Sequence, residues 1–319
     1  MRVFVTGSTG FVGSAVVKEL LANGHSVVGL TRSEKGVAQL KTQDVEVVNG
    51  TIEDVALLES TAATVDAVIH LAFVHDFSRF VEACEIDRAA ITALGKGLVK
   101  AGGGLSKSLV VTSGCMMVSQ GDRGTVYDET SPINTHSPLA KARGPSEQVA
   151  LDFAKPENGG LRASVVRLAP VTHDVDGGLS GFAGHLAGIA IQTGKSAYVG
   201  DGLNQWSAGH RADAAALYRL AAEKATPSSI FHANDEQGVE VKALAEAIGK
   251  ELNVPIVSLD HAAAADHFSW FLHPCATDNI VSSEATQKAL GWTPTHPKLL
   301  ANMPAIVAYA KKAAAAGSH

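Results

Sequence analysis

The chain has 319 residues, of which 46% are hydrophobic and 18% are charged. This balance excludes an intrinsically disordered protein, and the length suits two coupled lobes. The net charge is −6 and no basic stretch is visible, so we expect no nucleic-acid partner. The longest apolar runs fall far short of the roughly 20 residues that a membrane span needs, so we expect no membrane partner.

Three cysteines, Cys84, Cys115 and Cys275, show none of the spacings typical of metal ligands. So sparse and odd a set favours buried thiols in a reducing compartment. The first residues turn immediately after a short apolar run and do not resemble a secretory signal. We therefore predict a cytoplasmic protein without a metal site.

The first 170 residues alternate short apolar runs with helical patterns. The runs predict strands at Val3–Thr6, Ser26–Leu30, Val45–Val48, Asp66–Ala72, Leu109–Thr112 and Ala163–Leu168. Helical spacing predicts helices over Ser14–Ala22, Ile52–Ser60, Phe77–Lys100 and Pro138–Phe153. Strands that alternate with helices predict an α/β fold, with a Rossmann-type, doubly wound parallel sheet.

After Pro170 the alternation loosens, and a Gly/Asp-rich loop is predicted over Val171–Ser180. Short strands are predicted at Ala197–Val199, Ile230–Ala233 and Pro255–Ser258. Helices are predicted near Gly181–Gln192, Ala212–Glu223, Val241–Leu252 and Ser282–Leu290. We predict a dinucleotide-binding domain over residues 1–170, to which parts of 205–235 return. Residues 171–319 then form a smaller substrate-binding lobe, with a frayed tail over 313–319.

A glycine-rich segment, Thr6–Gly13, leaves the first predicted strand and enters the first helix. Gly7 permits a tight turn, Gly10 lets the backbone approach a pyrophosphate, and Gly13 lets the helix pack close to the sheet. The start of the helix offers free N–H groups and a positive dipole end. We therefore predict a phosphate loop whose cofactor contacts are Gly7, Ser8, Thr9, Gly10, Phe11, Val12 and Gly13.

Three segments, Thr6–Gly13, Asp66–Ala72 and Leu109–Gly114, together resemble the short-chain dehydrogenase/reductase superfamily. The resemblance is narrower to its extended and atypical branches, which include NAD(P)-dependent epimerases, dehydratases and ketone reductases. It implies a dinucleotide bound across the carboxyl ends of the strands. It further implies cofactor contacts from Thr51, Ile52, Leu71, Ala72, Phe73, Pro170 and Val171.

The residues after the second strand bear on which dinucleotide binds. An NAD site commonly has an acidic residue there, but this chain has Arg32 and Ser33, with no carboxylate before Glu34. Arg32 could pair with a 2′-phosphate, and Ser33 could assist. The alternative is an exposed arginine without a ligand. We favour NADP(H) over NAD(H).

The superfamily's Tyr-x-x-x-Lys motif is absent from the chain. On the helix where it is expected, two registers compete. Glu147 favours Leu139 at the tyrosine position and Arg143 at the lysine position, facing the cofactor. The other register places Ser137 and Lys141 there, and the two differ by about 200° around the helix.

Other expected catalytic positions are also altered. The family serine corresponds to Ser113, or, in a second alignment, Gly114 falls there and Ser113 only packs nearby. Asp87 stands at the position of the family asparagine. His75 and His173 follow the fourth and sixth strands, and either could exchange a proton near neutral pH.

Five further residues are candidates for positions near the site. Asp76 follows His75, and His210 and Asp213 lie in a turn of the substrate lobe. With Phe73, the aromatic residues Phe77 and Trp206 could form apolar walls, although ordinary core positions are the favoured interpretation for each.

These residues favour an NADP(H)-dependent oxidoreductase of the carbonyl reductase or alcohol dehydrogenase type, acting on a small or medium substrate. A redox-neutral epimerase or dehydratase and a non-catalytic dinucleotide-binding protein are the alternatives. Extended relatives often dimerise through the helices that correspond to Phe77–Lys100 and Pro138–Phe153, so the resemblance also implies a homodimer.

Overall fold

The structure, a computed structural model, describes residues 1–119, 121–174 and 181–317, without the side chain of Phe77. Residues 175–180 of the predicted loop and the last two of the tail lie outside that part. The described strands are β1 (Arg2–Thr6), β2 (Ser26–Thr31), β3 (Glu46–Asn49), β4 (Ala67–His70), β5 (Ser108–Gly114), β6 (Val126–Tyr127), β7 (Arg162–Leu168), β8 (Val171–His173), β9 (Ser196–Val199), β10 (Gln205–His210), β11 (Ser229–Ala233), β12 (Glu236–Glu240), β13 (Ile256–Leu259) and β14 (Ile280–Val281).

The helices carry most of the remaining chain. Those described are α1 (Phe11–Ala22), α2 (Glu34–Lys41), α3 (Val55–Ala62), α4 (Phe80–Lys100), α5 (Pro138–Asp152), α6 (Gly181–Thr193), α7 (Arg211–Lys224), α8 (Val241–Leu252), α9 (His261–Phe268), α10 (Leu272–Cys275), α11 (Glu284–Leu290) and α12 (Leu299–Ala315). In the parts of the chain with described coordinates, none of these helices has both the length and the apolar character to cross a membrane.

Seven strands form one parallel sheet in the order β3-β2-β1-β4-β5-β7-β11. The chain winds outward from β1 in both directions, so a crevice opens between the carboxyl ends of β1 and β4. This arrangement confirms the predicted doubly wound α/β fold. The two edge strands are β3 and β11, and β11 comes from the second half of the chain.

The strands of this sheet are buried on both faces. Val3 and Val5 of β1 pack into a core with α1 and α7, while the intervening Phe4 packs into a second core with α3, α4 and α5. Side chains alternate along a strand, so a continuous apolar run supplies both cores at once.

The second half of the chain builds its own core. A three-stranded sheet, ordered β12-β10-β8, packs with α6, α8 and α12. Two further parallel pairs, β9 with β13 and β6 with β14, lie beside it. This region supplies one wall of the cavity described below.

Some elements differ from the sequence predictions. Helix α2 was not predicted because it has few apolar residues, yet Ser33 caps it by accepting a hydrogen bond from the Gly36 amide, and Leu40 anchors it in the core. Strand β10 and helix α12 were also not predicted. The predicted loop after Pro170 begins with a strand, β8, which pairs with β10.

Candidate active site at the carboxyl edge of the sheet

The turn between β1 and α1 brings glycines against backbone atoms, where a larger residue would not fit. Gly7 has φ +67°, and a Cβ there would lie 2.8 Å from the amide nitrogen of Ala72. A Cβ on Gly13 would lie 2.0 Å from the carbonyl oxygen of Gly7. Gly10 is the N-cap of α1, and no side chain caps the helix there. The first N–H groups of α1 are therefore available to an anion, as a pyrophosphate requires.

A cavity of about 1580 Å³ runs from this turn along the carboxyl edge of the sheet. Most of the predicted cofactor contacts line it, namely Gly7, Thr9, Gly10, Phe11, Val12, Gly13, Arg32, Ser33, Thr51, Ile52, Leu71, Ala72, Phe73, Arg143 and Pro170. Two do not. Ser8 is buried and its hydroxyl donates to the Leu30 carbonyl at 2.8 Å, whereas Val171 packs in the core of the second half. The residues lining the cavity fit an extended dinucleotide.

At one end of the cavity, the residues that follow β2 offer a cation and a hydroxyl that could bind a ribose phosphate. Arg32 and Ser33 line this end and are exposed, and no carboxylate in the described chain pairs with Arg32. Ser33 accepts a hydrogen bond from a backbone amide, which leaves its own proton to donate. Glu53, on the loop after β3, also lines this end. The guanidinium is thus available to an anionic group.

Beneath the middle of the cavity, a buried chain of hydrogen bonds starts at β1. The hydroxyl oxygen of Thr6 accepts bonds from the amides of Leu71 and Ala72, each at 3.2 Å, so its proton can go to Nδ1 of His70 at 2.8 Å. The imidazole then carries its own proton on Nε2 and donates it to Asp87 at 3.2 Å. The tautomer of His70 follows from this network.

The chain ends at an ion pair between Asp87 and Arg143. Burial disfavours the charge on Asp87, but the hydrogen bond from His70 and the positive charge of Arg143 outweigh it, so the pKa of this carboxyl lies below its ordinary value. Arg143 also donates to the carbonyl oxygen of Thr112 at 2.9 Å and lies 4.3 Å from the ring centroid of Phe73. Three contacts therefore fix one guanidinium against the cavity wall.

The competing registers of α5 are placed differently. Arg143 and Leu139 both line the cavity, whereas Lys141 is exposed and does not. Ser137 also lines the cavity, but its hydroxyl accepts a hydrogen bond from the Ala140 amide as the N-cap of α5. Only the register with Leu139 and Arg143 brings both of its residues to the cavity, and a leucine there cannot transfer a proton.

A second buried ion pair anchors α5 to the sheet. Glu147 accepts two hydrogen bonds from Arg167 of β7, at 3.0 and 2.8 Å, and both side chains are almost fully buried. This fork-to-fork geometry fixes the rotation of the helix. The helix continues through Pro145 rather than ending there.

Ser113 and Gly114 both line the cavity at the end of β5. Ser113 is 8% exposed, and its hydroxyl has no hydrogen-bond partner among the described residues. The preceding residue, Thr112, projects to the opposite face of the strand, where it lies 2.8 Å from the hydroxyl of Tyr218. A buried hydroxyl without a partner is costly unless a ligand or water satisfies it.

The two candidate histidines lie in different surroundings. His75 lines the cavity, and its Nδ1–H donates to the Phe73 carbonyl at 3.1 Å. Partial desolvation, together with the charge of Arg143, holds the pKa of His75 below its ordinary value. His173 is fully buried, contacts the amide of Asn302 at 3.1 Å and does not line the cavity. Burial lowers the pKa of His173 to about 4, so it is neutral at pH 7.

The other candidates have identifiable structural contacts. Asp76 lines the cavity and accepts a bond from the Ser78 amide. His210 caps α7, since its Nδ1 accepts a hydrogen bond from the Ala212 backbone amide and its proton therefore lies on Nε2. Its ring stacks on that of His296, with centroids 4.6 Å apart. The carboxylate of Asp213 accepts a hydrogen bond from the backbone amide of His296. Because Nδ1 of His210 accepts the capping bond, the proton lies on Nε2, and that nitrogen has no lone pair for a metal ion.

The far end of the cavity, which we call the substrate end, was not predicted from the sequence except for Leu139. Its described lining includes Met116, Met117, Ser119, Asn134, Leu139, Phe182, His185, Trp270, Phe271 and His273. These residues come from four separate segments and share no motif, so no sequence signal marks them. Trp206, considered as a wall, is fully buried and donates to the Pro274 carbonyl at 3.1 Å as part of the core.

Comparisons with known proteins agree with this geometry. Residues 3–233 match the model of the NAD dependent epimerase/dehydratase family. An uncharacterized protein of Schizosaccharomyces pombe is 41% identical over 304 residues, covering 95% of this chain and 98% of its own. The 4-hydroxy-2-methyl-3-oxo-4-farnesyl-3,4-dihydroquinoline-1-oxide ketoreductase of Stigmatella aurantiaca is 27% identical, covering 84% of this chain and 79% of its own.

Among solved structures, MoeE5 in complex with UDP-glucose and NAD superposes with a TM-score of 0.75 at 20% identity. The match covers 98% of this chain and 100% of MoeE5, which extends the shared fold over both halves. The phosphate loop, the order of the seven strands and the family match over most of the chain lead to one conclusion: this chain belongs to the NAD dependent epimerase/dehydratase family.

Proposed function

We propose that the protein is an NADP(H)-dependent oxidoreductase that interconverts a carbonyl compound and its alcohol. One observation carries this proposal. A single continuous cavity joins the glycine turn, Arg32, which pairs with no described carboxylate, and the Ser113 hydroxyl, which has no hydrogen-bond partner among the described residues. These are, in order, a site for pyrophosphate, a cation for a ribose phosphate and a donor for a substrate oxygen.

The preference for NADP(H) rests on Arg32 and Ser33. A 2′-phosphate carries negative charge and several acceptor oxygens, which match a guanidinium and a hydroxyl proton. The 2′-hydroxyl of NAD(H) would instead favour a carboxylate at this place. Glu53 lines the same end, but it follows β3 rather than β2.

When bound, NADPH would supply a hydride to the carbonyl carbon while one proton reaches the carbonyl oxygen, which yields an alcohol and NADP+. Ser113 would donate a hydrogen bond to the carbonyl oxygen and orient it. Leu139 offers no proton, so water entering the open cavity would supply it, and His75 at the rim could supply it only when protonated. Loss of one acid/base group slows such a reaction without preventing it.

Arg143 and Asp87 would act by position. Arginine stays protonated and is a poor proton shuttle, but its guanidinium can hold a ribose hydroxyl or phosphate oxygen. Asp87 lies beneath the cavity wall and keeps Arg143 in place through their ion pair. His173 lies outside the lining, so we assign it no contact with the reacting groups.

Two alternatives keep a bound dinucleotide. A redox-neutral epimerase or dehydratase is consistent with the family, but its proton transfers depend more heavily on the tyrosine that Leu139 replaces. A non-catalytic binding protein is favoured by that same replacement. Absorbance at 340 nm in the presence of NADPH and a carbonyl panel separates them. A net loss of NADPH absorbance supports the reductase. Conversion of the carbonyl compound without that loss supports the epimerase or dehydratase, and saturable NADPH binding without turnover supports the binding protein.

The cofactor preference is tested by Arg32→Glu. We expect this change to weaken NADPH binding roughly 100-fold, since it removes a charge-assisted contact and adds repulsion, while NADH binding changes little. Fluorescence titration with each cofactor measures both affinities. Lys35→Glu is the matched control, because Lys35 is also exposed nearby but does not line the cavity. Equal losses of NADPH and NADH binding would contradict the assignment of Arg32 to the phosphate.

A further inference from the structure

We propose that the substrate end of the cavity takes an uncharged carbonyl compound with a flat, aromatic body, and not a phosphorylated or carboxylated substrate. This inference rests on the proposed function and names its substrate class. It is drawn from the walls, the charges and the hydrogen-bonding demand of that end.

The walls form a cluster of aromatic rings. The ring of Phe271 meets Phe182 edge to face, with centroids 4.9 Å apart, and meets His185 in the same way at 4.6 Å. Trp270 lies beside them, 5.4 Å from Phe271, and 58% of it is exposed. Phe271 is fully buried and holds the cluster in place. The indole of Trp270 extends this aromatic wall to the rim of the cavity, and a wall of aromatic rings suits a flat apolar ligand.

The substrate end lacks fixed positive charge. Among the described lining residues, the only lysine or arginine side chains are Arg32, at the opposite end, and Arg143, whose charge is neutralised by Asp87 and which is assigned above to the cofactor. Desolvation by the surrounding rings lowers the pKa of His185, so its imidazole is neutral at pH 7. A phosphate or carboxylate placed here would lose water without gaining a cationic partner, which is unfavourable.

The demand for hydrogen bonds at this end is small. The side-chain amide of Asn134 donates a hydrogen bond to the Ser119 carbonyl at 2.7 Å. Its oxygen accepts a hydrogen bond from the backbone N–H of His136 at 2.8 Å. The Ser119 hydroxyl in turn accepts a bond from Asn279 at 2.6 Å. Ser113 is the buried hydroxyl in the described lining that is left without a partner. One neutral donor suits one carbonyl oxygen.

The first test compares matched ketones. We expect kcat/KM for NADPH oxidation by 4-methylacetophenone to exceed that for 4-acetylbenzoate or phenacyl phosphate by about 100-fold, because the anions would be desolvated without a partner. An equal or higher value for either anionic ketone would overturn the proposed substrate class.

The second test uses the indole at the rim. Trp270→Ala should raise KM for 4-methylacetophenone roughly tenfold while leaving kcat nearly unchanged, since an apolar contact binds ground and transition states alike. Leu105→Ala is the control, because Leu105 is 64% exposed and precedes β5, away from the cavity. Equal KM values for the Trp270 variant and the wild type would overturn the role of this wall.

A binding measurement separates failure of this inference from failure of the proposed function. Protein saturated with NADP+ is titrated by calorimetry with 4-methylacetophenone and, separately, with UDP. Binding of the ketone in preference to UDP supports the inference even without turnover, and preference for UDP, or binding of neither, overturns it. If NADP+ itself does not bind, the proposed function is contradicted, and the same two titrations of the free protein decide the substrate class.

Discussion

The two ends of the cavity are built in different ways. At the cofactor end, backbone atoms form the surface, and Gly13 is required because a Cβ would lie 2.0 Å from a carbonyl oxygen. At the substrate end, side chains such as Phe182 and Trp270 form the surface, and they come from distant segments. Backbone contacts demand one residue type, whereas side-chain walls can be built from many. The first end can therefore be identified from sequence and the second cannot.

This difference predicts that different changes disrupt the two ends of the cavity. The cofactor end should be sensitive to added volume at a glycine. The half of the chain that supplies the substrate end holds a buried neutral histidine, His173 in β8, so its folding should be sensitive to an added proton.

The largest expected effect is at Gly13. Gly13→Ala places a methyl group against the carbonyl of Gly7, so the turn must open, and we expect NADPH affinity to fall by more than about 100-fold. Fluorescence titration measures the loss, and circular dichroism checks that the fold is retained.

The matched control is Gly188→Ala in α6, where an added Cβ meets nothing within 4 Å. It should bind NADPH as the wild type does. If both alanine variants kept full affinity, the turn would not be the pyrophosphate site.

A smaller effect is expected from pH. Burial lowers the pKa of His173 to about 4, whereas an exposed histidine titrates near 6.5, so the unfolded chain binds the proton first on acidification. The free energy of unfolding should therefore fall by about 3 kcal/mol between pH 6.5 and 4 through this one group. His173→Asn removes the titrating group and should lose less stability over the same range.

Urea unfolding at several pH values measures this difference. His261→Asn, which changes an exposed histidine at the start of α9, is the control and should follow the wild type. Parallel pH curves for the wild type and His173→Asn would show that His173 is not held neutral by the fold.

The fold was predictable because its signals are local. The alternation of buried strands with helices and the glycine turn follow from short-range patterns, and both agree with the structure. Helix α2 was missed because its stability comes from a cap and a single core leucine rather than from an apolar face.

The site was only partly predictable. The rotation of α5 depends on the ion pair between Glu147 and Arg167, which are 20 residues apart in sequence and meet only in the folded chain. Glu147 favoured the register with Arg143 toward the cofactor, but the contacts of Arg143 with Asp87 and Phe73 needed coordinates. The aromatic wall depends on the packing of α6 against residues 269–271, which no local pattern specifies.

Binding of the dinucleotide is tested by an equilibrium titration of the wild-type protein with NADPH, followed by nicotinamide fluorescence. We expect saturation at one NADPH per chain, with weaker binding of NADH because NADH offers Arg32 no phosphate to contact. A chain that stays folded yet shows no saturable binding of either nucleotide would contradict the central claim that this cavity holds a dinucleotide.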